Sequence, residues 1–274
     1  MVPGLNPGPF TGRGTNTYLV GEGRPVLIDT GAGVPAYADA LRRALAAEAG
    51  PLAAVLVTHH HPDHQGGLAQ VKALAPQAPV FKRPHPRDLV PPDRPLAGEG
   101  EEPAAIEVEG ARLIALYTPG HASDHLCFYW EEARALFTGD LVLGGTTPVI
   151  PAGDGDLAAY LASLERLLAL DLEVLYPGHG EPIGDPHAYI RHYLAHRRMR
   201  EAQVLDALRA GLATPAEIAA RLYPDVAAAV RQAAREQVLA HLVKLEREGV
   251  VAREPAAEGP AAHGEAAGPR FRLR

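Results

Sequence analysis

Five side chains able to ligate a cation stand among the six residues 59–64, His59-His60-His61-Pro62-Asp63-His64. The apolar run 52–57 ahead of them reads as a buried strand that delivers the chain into this cluster. In an extended segment successive side chains alternate, so His59 and His61 project to one side and can grip one ion, while His60 points away. The chain then turns, and Asp63 with His64 can reach a second ion a few ångströms off. Partners of the same chemical kind recur downstream. His121 follows Thr118-Pro119-Gly120, Asp140 follows Phe137-Thr138-Gly139, and His179 follows Tyr176-Pro177-Gly178. Each is a short apolar run, then a turn marked by glycine or proline, then a ligand type. Such a layout puts the ligands on loops along one edge of a sheet scaffold.

With these motifs the chain resembles the metallo-β-lactamase superfamily, and every position of the family's ligand pattern is filled. The resemblance implies an α/β fold, a four-layer αββα sandwich. It implies that His59, His61 and His121 hold one metal ion, that Asp63, His64 and His179 hold the other, and that Asp140 bridges them. By the same resemblance Asp29, in Asp29-Thr30-Gly31, supports the metal loops from behind, together with Thr58. Asn16 is a candidate substrate contact.

Two divalent ions sharing Asp140 can also share a water, which loses a proton near neutral pH and becomes a nucleophile toward a carbonyl or phosphoryl centre. Asp63 and Asp140 are therefore the candidate catalytic carboxylates, with Asp63 both ligating and orienting that nucleophile. Imidazole and carboxylate ligands suit two zinc ions, with manganese or iron feasible in the absence of a thiolate. The reaction class is metal-assisted hydrolysis. Ser123-Asp124-His125 is set aside as a hydrolase triad, because sequence-adjacent residues cannot adopt that geometry.

The elements that must position these groups are legible in outline. The 274 residues suffice for one large domain with an appendage, and 47% hydrophobic content is ample for a core. Runs at 15–20, 25–28, 79–82, 106–108, 112–117, 125–130 and 134–137 read as strands. Helical spacing is present at 37–49, 65–75 and 157–170. Residues 84–102 read as loop, with His85 as a surface histidine. The one cysteine, Cys127, excludes an internal disulfide and reads as a small buried hydrophobe. No apolar run approaches a membrane span, and residues 1–10 carry no signal pattern, so a cytoplasmic protein without a membrane partner is expected. A homo-oligomer is left open.

The character changes after His179. A catalytic domain over 1–185 and a helical C-terminal domain over 186–274 are expected. Residues 186–212, 214–222 and 226–248 read as three helices, the second opened by a capping box at Thr214 and Glu217. Two strands at 250–253 and 270–274 then flank an Ala/Gly/Pro loop, and the whole reads as a winged helix. Net charge is −7, divided as −10 over residues 1–182 and +3 over residues 183–274. Arg197, Arg198 and Arg200 gather on the first of the three helices, as candidate contacts for an anionic substrate.

Further segments resemble the branch of the superfamily that contains the mitochondrial lactamase-beta-like endoribonuclease. They are Asn6-Pro7-Gly8 with Gly14-Thr15-Asn16-Thr17-Tyr18-Leu19-Val20, Gly145-Thr146-Thr147, Tyr193-Leu194-Ala195-His196-Arg197, and the stretch from His241 to Gly249. This resemblance implies cleavage of single-stranded RNA. The same branch includes polyketide thioesterases, and cousins hydrolyse hydroxyacyl-glutathione thioesters. RNA phosphodiester cleavage is therefore placed first, hydrolysis of a small-molecule thioester second, and a non-catalytic nucleic-acid-binding module third.

Overall fold

The protein is described by a computed structural model covering residues 1–48, 50–96, 104–254 and 268–274. The end of the loop expected at 84–102, and most of the Ala/Gly/Pro loop after residue 253, lie outside the described residues.

Two sheets face each other. The first runs in the order β1 (Val2–Pro3), β2 (Asn16–Val20), β3 (Val26–Ile28), β4 (Ala54–Leu56), β5 (Val80–Lys82) and β6 (Arg94–Pro95). The second holds β7 (Ala105–Val108), β8 (Ala111–Tyr117), β9 (Leu126–Trp130), β10 (Ala135–Gly139) and β11 (Val174–Pro177), with β7 and β11 at its edges. Strands β7 to β10 form an antiparallel meander, whereas β10 and β11 pair in parallel. That crossover requires an intervening helix, which α4 (Leu157–Leu167) supplies.

The apolar alternation of the strands divides the core into layers. Tyr18, Ile28 and Leu56 of the first sheet meet Leu113, Phe128 and Phe137 of the second between the sheets. On the outer face of the first sheet, Leu27, Val55 and Val80 are covered by Tyr37 and Leu41 of α1 (Pro35–Glu48) and by Leu68 and Val71. On the outer face of the second, Leu136 and Leu175 are covered by α4 and by Ile190, Tyr193 and Leu194. This is the expected αββα sandwich. The helix expected over 65–75 is broken into α2 (Pro62–Gln65) and α3 (Leu68–Leu74) at Gly66-Gly67, where the backbone packs tightly against Thr30 and Ala32. A Cβ on Gly67 would stand 2.1 Å from the Thr30 carbonyl oxygen.

The long helix α5 (Pro186–Arg209) is capped by Asp185, whose carboxylate accepts from the Ala188 amide. Its first half completes the sandwich core, while Val204, Ala207 and Leu208 belong to a second core. A division after residue 185 therefore assigns to the C-terminal part a segment that packs on the sandwich. The second core is filled by α6 (Pro215–Leu222), α7 (Arg231–Arg247), and the hairpin of β12 (Val251–Arg253) and β13 (Phe271–Leu273). The Thr214–Glu217 capping box forms as expected. The third expected helix instead begins as a short 3-10 turn at Ala228–Val230 before α7. Among the described residues no helix is long and apolar enough to cross a membrane.

Candidate metal centre

Five of the seven proposed ligands sit just past a strand end, on loops at one edge of the sandwich, and Asp63 and His64 lie in α2. Their orientation is imposed from behind by hydrogen bonds. Asp29, just past β3, holds a left-handed backbone at φ 59°, which aspartate tolerates better than most residues. Its buried carboxylate accepts from the Thr58 amide at 2.8 Å, from Thr58 Oγ1 at 2.9 Å and from His64 Nδ1 at 2.7 Å. Thr58 Oγ1 in turn takes the His59 Nδ1 proton at 3.0 Å. Both imidazoles are thereby left with Nε2 facing the cluster. His121 Nδ1 donates to the Val149 carbonyl at 2.8 Å and His179 Nδ1 to the Gly14 carbonyl at 3.3 Å, which turns their Nε2 atoms inward as well.

The facing atoms form two groups. His61 Nδ1 lies 2.9 Å from His59 Nε2 and 3.0 Å from His121 Nε2. Asp63 Oδ2 lies 3.2 Å from His179 Nε2 and 3.6 Å from His64 Nε2. Asp140 stands between the groups with its two oxygens divided. Oδ1 is 3.3 Å from His64 Nε2 and 3.4 Å from His179 Nε2, while Oδ2 is 3.5 Å from His121 Nε2. Atoms bound to a tetrahedral ion at about 2.0–2.1 Å stand roughly 3.3 Å apart, so these spacings suit side chains that could share an ion.

Charge and burial agree. His64 Nε2 and Asp140 Oδ1 are buried without a hydrogen-bond partner among the described residues, a costly arrangement that a cation between them would relieve. Burial and the neighbouring imidazoles push His61 down to about 3 and hold His59 well below its ordinary value, so both carry free lone pairs. Burial opposes protonation of His64 too, but the carboxylates of Asp140, Asp63 and Asp29 outweigh it and hold that imidazole well above its ordinary value. The two groups of His and Asp side chains are able to bind metal ions.

The family model of the metallo-beta-lactamase superfamily matches residues 10–179, which contain this whole centre. The chain belongs to that superfamily. A second family model, the beta-lactamase associated winged helix domain, matches residues 214–259. The chain is 36% identical to a lactamase-like protein of Pestalotiopsis fici, over 89% of this chain and 78% of that one. It is likewise 36% identical to the Beta-lactamase-like protein 2 homolog of Caenorhabditis elegans, over 91% of this chain and 84% of that one. With an atrochrysone carboxyl ACP thioesterase of Aspergillus chevalieri it shares 41% identity over 74% of this chain and 63% of that one. Among solved structures, a metallo-beta-lactamase family protein from Thermus thermophilus superposes with a TM-score of 0.78 at 30% identity, over 100% of this chain and 97% of that one.

Behind the superfamily centre lie groups that sequence reasoning missed or misplaced. His125 is fully buried; its Nδ1 donates to Thr118 Oγ1 at 3.0 Å and its Nε2 accepts from the Asp140 amide at 3.1 Å. It thus pins the backbone of the proposed bridging residue. His60 points away from the centre, as alternation requires, and its Nδ1 donates to Asp124 Oδ1 at 2.8 Å. His85 is no free surface histidine. Its ring stacks on His60 at 3.7 Å between centroids, and its Nε2 donates to Asp154 Oδ1 at 3.3 Å. Asp154 also accepts from Ser123 Oγ at 2.6 Å. Ser123, Asp124 and His125 therefore serve three different partners, and they form no triad.

The candidate substrate contacts all have partners within the chain. The Asn16 amide is committed to the carbonyls of Pro177 at 3.0 Å and Gly180 at 2.8 Å, where it shapes the His179 loop. Arg197 is buried at 1% exposure; its guanidinium donates to the Pro148 carbonyl at 2.6 Å and lies over the Tyr160 ring. Arg198 pairs with Glu165 at 3.2 Å, and Arg200 lies over the Tyr223 ring and donates to Gln203. Cys127 is buried as expected, and burial pushes its thiol up to about 12.

The ligands open into a cavity of about 730 Å³. One wall comes from the C-terminal domain through Tyr223, Val226, Ala229, Val230 and Ala233, and Phe10 of the N-terminal loop also lines the cavity. No lysine or arginine is among its described lining residues.

Proposed function

We propose that this metal-dependent hydrolase cleaves acyl thioesters, which reverses the order of substrates read from the sequence. The cavity carries the proposal. An acidic and imidazole-rich end meets an apolar wall within one space, and among the described residues no lysine or arginine lines it. An RNA strand brings a charge at every phosphate and is held by arginine and lysine contacts. The three arginines that favoured RNA are spent on Pro148, Glu165, Tyr223 and Gln203. A largely apolar acyl group fits such a wall, and pockets of roughly 300–1,000 Å³ suit small molecules. The thioesterase named among the relatives supports the same class.

His59, His61 and His121 would hold one divalent ion, Asp63, His64 and His179 a second, with Asp140 between them; two such ions supply Lewis acidity and an activated water at neutral pH. The chain's own contribution is placement. Asp29 and Thr58 fix the tautomers of His59 and His64, and His125 fixes the Asp140 backbone. Asp63, 26% exposed at the side chain and steadied by Thr15 Oγ1 at 3.4 Å, faces the cavity and can hold the proton of an attacking water. The apolar wall excludes bulk water from the acyl group, which strengthens each polar interaction at the reacting carbon.

The test is a parallel assay of the zinc-loaded and manganese-loaded protein on acyl thioesters of N-acetylcysteamine and on unstructured RNA. Turnover of thioesters with intact RNA is expected. RNA cleavage that depends on the loaded metal, with thioesters untouched, would restore the nuclease reading.

A further inference from the structure

The histidines proposed to hold the first ion are oriented over very different distances along the chain. His59 is turned by Thr58, its immediate neighbour, whereas His121 donates to the carbonyl of Val149, 28 residues further on. Val149 lies between β10 and α4, in a stretch that belongs to no helix or strand. The bonds that hold this stretch come from the C-terminal helices. Arg197 of α5 donates to the Pro148 carbonyl at 2.6 Å. The Ile150 amide donates to Gln237 Oε1 of α7 at 3.3 Å, and the Ala152 amide donates to the Glu236 carboxylate at 2.9 Å. The residues on both sides of Val149 are thus gripped from the C-terminal part of the chain, and the Val149 carbonyl itself is left for His121.

We propose that Gln237 is a positioning residue for the metal centre. By holding the Ile150 amide it fixes the Val149 carbonyl, and through that carbonyl the imidazole of His121, so that the C-terminal domain completes the site of one ion. This rests on the two-ion reading of the centre. Groups that orient a metal-binding imidazole typically change metal affinity about 10–100-fold when lost. The effect is confined by the geometry to the ion of His59, His61 and His121. In the other group His64 is oriented by Asp29 and His179 by the Gly14 carbonyl, neither of which belongs to the C-terminal domain.

The competing account is that the Ile150 side chain, fully buried in the sandwich core, anchors the stretch without help from α7. Two variants separate the accounts. Gln237→Met keeps the length of the side chain and removes the acceptor, which leaves the Ile150 amide unpaired. Gln237→Glu keeps an acceptor oxygen for that amide. It also gives up no hydrogen bond, because Gln237 Nε2 has no partner among the described residues.

The experiment titrates the metal-stripped full chain with cobalt(II) against a competing chelator and follows the visible absorption of the bound ion. The variant His121→Ala identifies which absorption belongs to the first ion. The wild type is expected to bind two equivalents. Gln237→Met should weaken the equivalent marked by His121→Ala roughly tenfold and leave the other within about twofold, while Gln237→Glu stays within about twofold at both. Where Gln237→Met does not fold, Glu236→Ala decides, since that half-buried side chain grips the same stretch at Ala152 and its loss should weaken the same equivalent. Unchanged affinity for that equivalent overturns the role of Gln237. So does a loss spread evenly over both equivalents, or a Gln237→Glu as weak as Gln237→Met, and each of these leaves the two-ion reading standing. A wild type that binds fewer than two equivalents overturns that reading and the role of Gln237 with it.

Discussion

The two ends of the cavity are built on different physical terms. The ligand end is a lattice of discrete polar bonds, in which Asp29 alone accepts from Thr58 twice and from His64 once. The opposite end, from Tyr223 to Ala233, offers mainly area: small aliphatic side chains and one aromatic ring, with Gln232 the polar side chain among them. Loss of a bond in the first is all-or-none, whereas loss of a methyl group in the second is graded. The same molecule can thus hold its chemistry fixed while the size and shape of what it accepts vary by single substitutions in the wall. Substitutions at the ligand end should collapse the rate for every substrate. Those in the wall should reorder substrates.

The largest effect is expected at Asp140, whose two oxygens face the two groups of ligands. Asp140→Asn keeps the shape and removes the charge, so hydrolysis should fall by far more than the about 10–100-fold typical of losing a supporting residue. Circular dichroism should show an unchanged fold, because the buried histidines remain packed. Metal analysis should show the second equivalent weakened. Near wild-type turnover by the Asn variant would break the comparison, since the divided carboxylate would then carry no chemistry.

A smaller effect is expected one layer back. Asp29→Asn tolerates the same left-handed backbone yet offers one acceptor oxygen where three donors now converge. Metal affinity should drop about 10–100-fold, as for other residues that orient ligands. Competition with a chelator measures this directly. Unchanged affinity would mean that the loops hold His59 and His64 in place without the carboxylate.

The contrast between the two ends also explains what the sequence revealed. The ligand end was legible because its first part is contiguous: alternation over residues 59–61 assigned His60 away from the cluster, and His60 is found against Asp124. The remaining ligands each follow a strand, so sheet geometry gathers them. The sandwich and the winged helix were legible from periodicity and capping, as at Thr214. The wall was not. Residues 226–248 show an apolar helical face that serves the C-terminal core through Val238, Leu242 and Leu245. Nothing local marks Val226 to Ala233 as covering a site whose ligands lie roughly 50 to 170 positions earlier. The surroundings of Asn16 and Arg197 were hidden for a related reason. A polar side chain near a site can spend its donors on backbone carbonyls, and Pro177 and Pro148 become available only once the fold brings them close.

The wall can be probed at a single small residue. Ala233 is half-buried on the cavity face of α7. Ala233→Trp should fill much of the space over the ligands, raising KM for octanoyl thioesters about tenfold while leaving acetyl thioesters within about twofold. Equal loss on both acyl lengths would indicate that the bulky ring disturbs the ligands themselves. The wall would then lose its separate standing.

The smallest effect is expected at Arg198, the most exposed of the three arginines once assigned to RNA. Its guanidinium meets Glu165 at 3.2 Å with the two side chains 70% and 56% exposed. Exposed pairs of this kind contribute about 0–1 kcal/mol, because water screens the charges and two long side chains must be ordered. Arg198→Gln should therefore change stability by no more than about 0.5 kcal/mol and leave thioester turnover unaltered. Binding to unstructured RNA discriminates further. If the arginine contacts phosphate, its loss weakens binding and reduces the salt slope by about one counterion. If it only ties α5 to α4, both remain as in the wild type. An unchanged slope is the expected result, since Glu165 already neutralises the charge and Arg198 is absent from the cavity lining. A flattened slope would place a phosphate track outside the cavity, on the face where α4 meets α5.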